Sequence, residues 1–442
     1  MAMETEHSPT GHEPTGHEPN GHEPNGHSPT GHQPTGHEPA GHEPTGARDL
    51  ARWREDTPSA MLGRVHLNNA GASLMPLPVH RMVIDHLERE MRLGGYEAEE
   101  EAAVRIDRCY EEVAALVGAR PRNVAMVENA TVAFAQALSA VDPQPGDVVV
   151  TTANDYASNQ LMYLALAERR GVEVVRAGEL AEGGVDPDSV GHIIRSRRPA
   201  LVALTWIPTN SGLVQPAEEV GRLCAEAEVP YLVDACQAVG QMPVDVAELH
   251  CHFLAATGRK FLRGPRGTGF LYVSDRALSM GSKPLHLDMR GADWVADRKY
   301  ALRPDARRFE NWEFAWALVL GLGEAAWYAR QVGLDVARDR AWRLAAELRA
   351  SLEEVDGVRV LDQGARLCAI VTAKLQGIDA PAAVQALREQ GINTSSIDRT
   401  SALLDMDAKG VTAALRLSPH YFNTESELRA AVSAVAGIVE PA

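Results

Sequence analysis

The chain has 442 residues, 45% apolar and 23% charged, with a net charge of −17. That balance suits a soluble globular protein and argues against nucleic-acid binding, since a phosphate-backbone binder needs surplus Lys and Arg. No apolar run approaches the roughly 18–20 residues of a membrane span, and no basic-then-apolar segment marks a secretory leader.

The first 46 residues read as a tail. A unit His-x-Pro-x-Gly repeats eight times from His7 to Gly46 and holds half of the 16 histidines. It has no large apolar side chain to bury, and proline every fifth residue excludes a continuous helix. Its imidazoles suit weak, multiple binding of Zn, Ni or Cu. A helical pattern follows over residues 75–117, with Val79, Val83, Leu87, Met91, Val104, Val113 and Leu116 as its apolar positions. Short apolar strands come next: Val148–Thr152, Val172–Arg176, Ala200–Thr205, Tyr231–Asp234, Phe253–Ala256 and Gly269–Val273. Helices such as Asn159–Arg170 and Ala217–Ala227 separate them. This alternation predicts a mainly parallel sheet covered on both faces. Beyond residue 315 a long helical stretch (Ala315–Leu352) precedes strands at Val358–Leu361, Cys368–Ala373 and Ala414–Leu417. Helices near Ala382–Gln390 and from Glu425 complete a smaller α+β domain, with Val65–Ala72 packed on it. The predicted organisation is therefore a tail (1–46), a large domain (75–310) and a small domain (47–74 and 311–442). Five scattered cysteines, Cys109, Cys224, Cys236, Cys251 and Cys368, lack metal-type spacing. They read as reduced thiols in a cytoplasmic protein, and no metal ligand set is assigned.

The chemistry concentrates in residues 231–273. The strand Tyr231–Asp234 ends on a carboxylate, and ligands of open α/β sheets gather at the carboxyl ends of strands. Gln237 follows three residues later. The next strand runs into Thr257-Gly258-Arg259-Lys260 and a glycine-rich turn. A lysine beside such a carboxylate is what pyridoxal phosphate (PLP) requires: an amine for its aldehyde and an acid for its pyridinium nitrogen. Thr257 and Arg259 stand ready for the phosphate.

Val-Asp-Ala-Cys-Gln-Ala-Val-Gly (233–240) followed by Thr-Gly-Arg-Lys-Phe-Leu-Arg-Gly-Pro-Arg-Gly-Thr-Gly (257–269) resembles the class V aminotransferase family, over about residues 65–436. The resemblance implies a fold-type I PLP enzyme, with a mainly parallel seven-stranded sheet and a smaller C-terminal domain, acting as a homodimer on an amino acid. Asn129-Ala130-Thr131 resembles the phosphate-binding turn, with Ala130 and Thr131 as donors. Asp155–Asn159 resembles the segment that stacks on the ring, which assigns that role to Tyr156. Pro208–Gly212 resembles the loop that reaches the ring oxygen, through Thr209 or Asn210. His66–Gly71 resembles the segment lining the substrate site, with Asn69 as the contact. Arg416, in Leu-Arg-Leu-Ser-Pro-His, resembles the arginine that grips the substrate α-carboxylate. Residues 307–313 resemble a segment near the dimer interface, but Trp312-Glu313 stand where desulfurases carry Gly-Thr-Pro.

The family includes cysteine desulfurases, an epimerase and carbon–sulfur lyases. A desulfurase is expected to carry a cysteine on the loop before the carboxylate-binding Arg, and residues 391–410 hold none. Arg259 also replaces the His that desulfurases place before the lysine. The sequence therefore disfavours a cysteine desulfurase. It points instead to a carbon–sulfur lyase performing β-elimination on an S-substituted cysteine, with Lys260 as the acid/base. Family members of that kind serve ergothioneine biosynthesis and antibiotic biosynthesis. A decarboxylation-coupled deaminase comes second, then an epimerase or aminotransferase. A metal store built on an inactive scaffold is disfavoured by the intact Asp234, Lys260 and Arg416.

Overall fold

Seven short strands, all but the edge strand Glu173–Arg176 wholly buried, make the central sheet of the computed structural model, which describes residues 47–440. Their order is Val124–Val127, Gly269–Val273, Phe253–Thr257, Tyr231–Asp234, Leu201–Thr205, Val148–Thr151 and Glu173–Arg176. The last five run parallel, and Gly269–Val273 is antiparallel to both of its neighbours. Alternate side chains leave on opposite faces. Accordingly Val148, Val150, Val202 and Leu204 join one apolar cluster, while Val149, Leu201 and Ala203 join another. A sheet buried on both faces explains why these strands read as unbroken apolar runs. The fold is the expected α/β architecture with a mainly parallel sheet. The His-Pro-Gly run, and the metal binding drawn from it, lie outside the described residues.

Two long helical stretches are each broken by a glycine. Leu77–Leu93 and Gly95–Leu116 meet at Gly94 (φ 104°), and Trp316–Val332 and Leu334–Glu353 meet at Gly333 (φ 85°). Both angles lie where side-chain-bearing residues are strained. Leu87, Met91 and Val104, counted on the apolar face, are exposed: successive four-residue steps drift about 40° each around a 3.6-residue turn, and Gly94 interrupts the helix before Val104. The strand Val124–Val127 was not anticipated, because four residues between a helix and a turn are too few to show a period. An antiparallel hairpin, Ala292–Ala296 with Lys299–Leu302, was also unforeseen.

A second sheet is antiparallel, in the order Val358–Val360, Val371–Leu375, Ala413–Leu417, Ser395–Asp398. Val65–His66 pairs in parallel with Ile392–Asn393 beside it. Distant segments are joined by Arg263, which is fully buried three residues beyond Lys260. Its guanidinium donates to Leu74 O (2.8 Å), Tyr421 Oη (2.7 Å) and Thr57 Oγ1 (2.5 Å), and lies 4.5 Å from the Phe422 ring centre.

His420 lies in the same cluster. Its Nδ1 accepts from the Tyr421 N–H (2.9 Å), which leaves Nε2 to donate to Phe261 O (2.9 Å). The neutral ring therefore satisfies both partners. Burial, with Arg263 nearby, holds its pKa down to about 3, and burial holds His252 down to about 4. An unfolded histidine takes up its proton near 6.5. Between that value and the folded one, the unfolded chain binds more protons, so stability falls as pH falls. The denaturation midpoint is expected to be flat above about pH 7 and to decline from about pH 6.5 to 4. His420→Gln should lower the midpoint at neutral pH yet make the acid decline shallower. An unchanged acid slope in that variant would remove His420 from the account.

Candidate active site

The carboxyl ends of the parallel strands bring Thr151, Thr205, Asp234 and Thr257 to one edge of the sheet. A cavity of about 450 Å³ opens above that edge. Ala130, Thr131, Tyr156, Thr209, Asp234, Gln237, Thr257, Arg259 and Lys260 all line it, together with Cys236. Nine of the residues singled out in the sequence are thus brought together from five separate segments.

One wall is the start of the helix Ala130–Val141. Asn129 caps it, taking the Val132 N–H on Oδ1 (3.0 Å). The amides of Ala130 and Thr131 belong to the first turn, where N–H groups have no acceptor within the helix. Gly269 allows this approach. A Cβ there would lie 2.6 Å from Ala256 O and 2.9 Å from the Asn129 carbonyl carbon.

The floor is a buried carboxylate network. Asn159 Nδ2 donates to Asp234 Oδ2 and to Asp155 Oδ1 (both 3.1 Å), and the Cys236 N–H donates to Asp234 Oδ1 (3.0 Å). Asp155 also accepts from Thr205 Oγ1 (2.5 Å), Thr151 Oγ1 (2.7 Å) and the Tyr156 N–H (2.7 Å). Burial raises the Asp155 pKa, its hydroxyl and amide donors lower it, and the nearby Asp234 adds to the rise. Lys260 is 8% exposed, and its Nζ lies 5.9 Å from the Tyr156 ring centre. Burial lowers its pKa from the ordinary lysine value, while Asp234 opposes the shift.

Arg416 stands behind Thr209. Its Nη1 donates to Thr209 O (3.0 Å) and Oγ1 (2.8 Å), and Nη2 to Asn68 Oδ1 (3.3 Å). Its Nε is buried without a partner, as is Gln237 Oε1. Burial, then the nearby Arg259, lowers the Arg416 pKa to about 10.

Two assignments are corrected. Asn69 is fully buried, and its side chain is occupied. Nδ2 donates to Ser418 O (2.7 Å), and Oδ1 accepts from Ser73 Oγ (2.6 Å). It braces the segment, and Asn68 is the neighbour that meets Arg416. Asn210 turns away from the cavity to donate to Asp405 Oδ2 (2.7 Å), which leaves Thr209 as the residue of that loop at the cavity. Asn159 was missed as a functional residue. It closes a helical turn after Asp155, but only the fold shows that its amide spans two carboxylates 79 positions apart.

Asn159→Ala is expected to leave Asp234 without its side-chain donor. Cofactor affinity should fall about tenfold or more, since a hydrogen bond to a charged group contributes ~1.5–3 kcal/mol. Absorbance titration of the apoprotein with PLP would read the change, and an unaltered affinity would refute the bridging role.

The family Aminotransferase class-V matches residues 65–430. A probable cysteine desulfurase of Methanothermobacter thermautotrophicus is 28% identical over 383 residues, 85% of this chain and 94% of that protein. A probable hercynylcysteine sulfoxide lyase of Mycobacterium tuberculosis is 29% identical over 399 residues, 87% and 92% respectively. The apo cysteine desulfurase of Thermococcus onnurineus superposes with a TM-score of 0.81 at 23% identity, covering 88% of this chain and 98% of that one. These likenesses overturn the expectation that set cysteine desulfurases aside in favour of a lyase on an S-substituted cysteine. That expectation rested on the thiol-free loop 391–410 and on Arg259 in place of a histidine. A thiol can also reach the site from the sheet edge, and Cys236 lines the cavity.

Proposed function

The chain belongs to the class-V aminotransferase family, and we propose that it removes sulfur from a cysteine-type amino acid, as cysteine desulfurases do. PLP is the cofactor of this family of enzymes, and the residues present fit it. The helix N-terminus at Ala130 and Thr131 suits a phosphate dianion. Asp234 suits a pyridinium nitrogen, Lys260 an aldehyde and Tyr156 a ring face. The orphaned Gln237 Oε1 awaits a donor. The observation that carries the reading is that Asp234, Lys260 and this helix start share one cavity.

Bound there, PLP supplies an electron sink for charge left at the substrate Cα. The rest of the work belongs to the chain. Arg416 offers a planar guanidinium for the α-carboxylate. Lys260, its pKa lowered by burial, has a neutral amine at lower pH than an exposed lysine and serves to take or return a proton at Cα. Asp234, held by Asn159, would pair with the ring nitrogen. Tyr156 would cover a ring face and exclude water there.

Two finer readings accompany this one. Exposed Met91, Tyr96 and Val104 and a cleft of about 690 Å³ beside Trp312 support a homodimer, since apolar patches of this kind mark interfaces. The five unpaired cysteines support a reducing compartment such as the cytoplasm. Among the described residues no helix is long and apolar enough to cross a membrane.

Purified protein incubated with PLP, L-cysteine and dithiothreitol should release alanine and sulfide in equal amounts. Lys260→Ala should abolish turnover. Release of pyruvate and ammonia in place of alanine would refute sulfur removal of the desulfurase type. A protein that never takes up PLP would refute the cofactor assignment.

A further inference from the structure

Three consecutive carbonyls run through Lys260, and each has a donor. Arg259 O takes the Ser73 N–H, Lys260 O takes the Arg263 N–H and Phe261 O takes His420 Nε2, all at 2.9 Å. The Gly264 N–H closes the turn onto Gly258 O (2.8 Å). Arg263 is an unexpected residue for this turn in two respects. Its φ is +62°, a left-handed angle that glycine or asparagine adopts with less strain. Its guanidinium is also fully buried and meets no carboxylate among the described residues. Leu74 O, Tyr421 Oη and Thr57 Oγ1 satisfy it instead, and the Tyr328, Tyr421 and Phe422 rings surround it. A strained backbone angle and a desolvated cation both oppose folding. Closure of the turn alone would be served by glycine. What the arginine adds is a fixed position for the turn against two remote stretches of chain, 57–74 and 421–422.

We propose that Arg263 is a positioning residue for Lys260: its side chain pins the turn after the lysine, and so holds Nζ within reach of the cofactor aldehyde. The inference rests on the PLP reading above. Its structural basis is the Arg263 N–H on Lys260 O together with the three side-chain anchors. The step it serves is a condensation. The neutral Nζ amine adds to the aldehyde carbon, a C=N bond replaces the C=O bond, and the oxygen leaves as water with the two amine hydrogens. Arg263 does not line the cavity and takes no part in that exchange. It acts only through the backbone of the turn.

The test compares two forms of the cofactor by equilibrium dialysis against the apoprotein. PLP carries the aldehyde that Lys260 captures, while pyridoxamine phosphate has the same ring and phosphate without it. Unmodified protein should prefer PLP by about tenfold or more. Arg263→Gly suits the left-handed angle but removes the anchors, and it should cut that preference about tenfold through weaker PLP binding alone. Arg263→Lys should recover part of the preference. Tyr421→Phe keeps the ring and removes one anchor, so it should lower the preference about threefold, and it serves where Arg263→Gly does not fold. In a Lys260→Ala background, either substitution should leave PLP affinity within about twofold, since the two residues act as one unit. Equal weakening of PLP and pyridoxamine phosphate makes Arg263 a general support and overturns the proposal. So does a loss of PLP affinity that persists without Lys260, or a preference that neither substitution changes. Unmodified protein without any preference for PLP overturns it too. Protein that binds neither form overturns the cofactor reading and this inference with it.

Discussion

Asn159 spans two buried carboxylates, and the rest of the site takes its bearings from that bridge. Asp155 and Asp234 stand close together at the edge of the sheet, and burial pushes the Asp155 pKa up against the pull of its donors. Asn159 gives one amide hydrogen to each, while Thr151 and Thr205 close the remaining positions of Asp155. The Tyr156 N–H is also held by Asp155, so the aromatic ring is set by the same group. Strand ends, a helix start and Tyr156 are thereby locked into one hydrogen-bonded frame. Lys260 then needs only its own strand to bring it over that frame.

Much of this was legible beforehand, for identifiable reasons. Strands buried on both faces announce themselves as apolar runs, and six of the seven central strands were found within a residue or so. Asp234 and Lys260 were legible because each stands just past such a run. Ala130 and Thr131 were named from a resemblance of their turn, and the fold adds that Asn129 caps the helix they open. The failures have physical causes as well. Asn69 and Asn68 are adjacent and chemically identical, so only burial tells which faces the site. Asn210 and Thr209 differ in where a turn points them, and Asp405 decides that from 195 positions away. Glycine breaks within long amphipathic stretches were invisible, because Gly94 and Gly333 matter through backbone angles and not through polarity.

The argument against a desulfurase failed differently. It took a loop without cysteine and an arginine in place of a histidine as grounds enough. In the folded chain the residue two beyond Asp234 is a cysteine whose N–H braces that carboxylate and whose side chain lines the same cavity. Burial and the adjacent Asp234 push its pKa up, so it is held mainly as a thiol.

Arg263 carries a consequence in time. The turn that follows Lys260 is completed by Thr57 and Leu74 from one end of the chain and by Tyr421 from the other, with His420 closing on Phe261 O. During synthesis Lys260 therefore leaves the ribosome some 160 residues before the turn after it can be completed by Tyr421. Until residues 421–422 emerge, the Arg263 guanidinium lacks the Tyr421 hydroxyl and two of its three aromatic neighbours. The central sheet can assemble on the growing chain, but a competent lysine loop, and with it cofactor capture, belongs to the finished polypeptide.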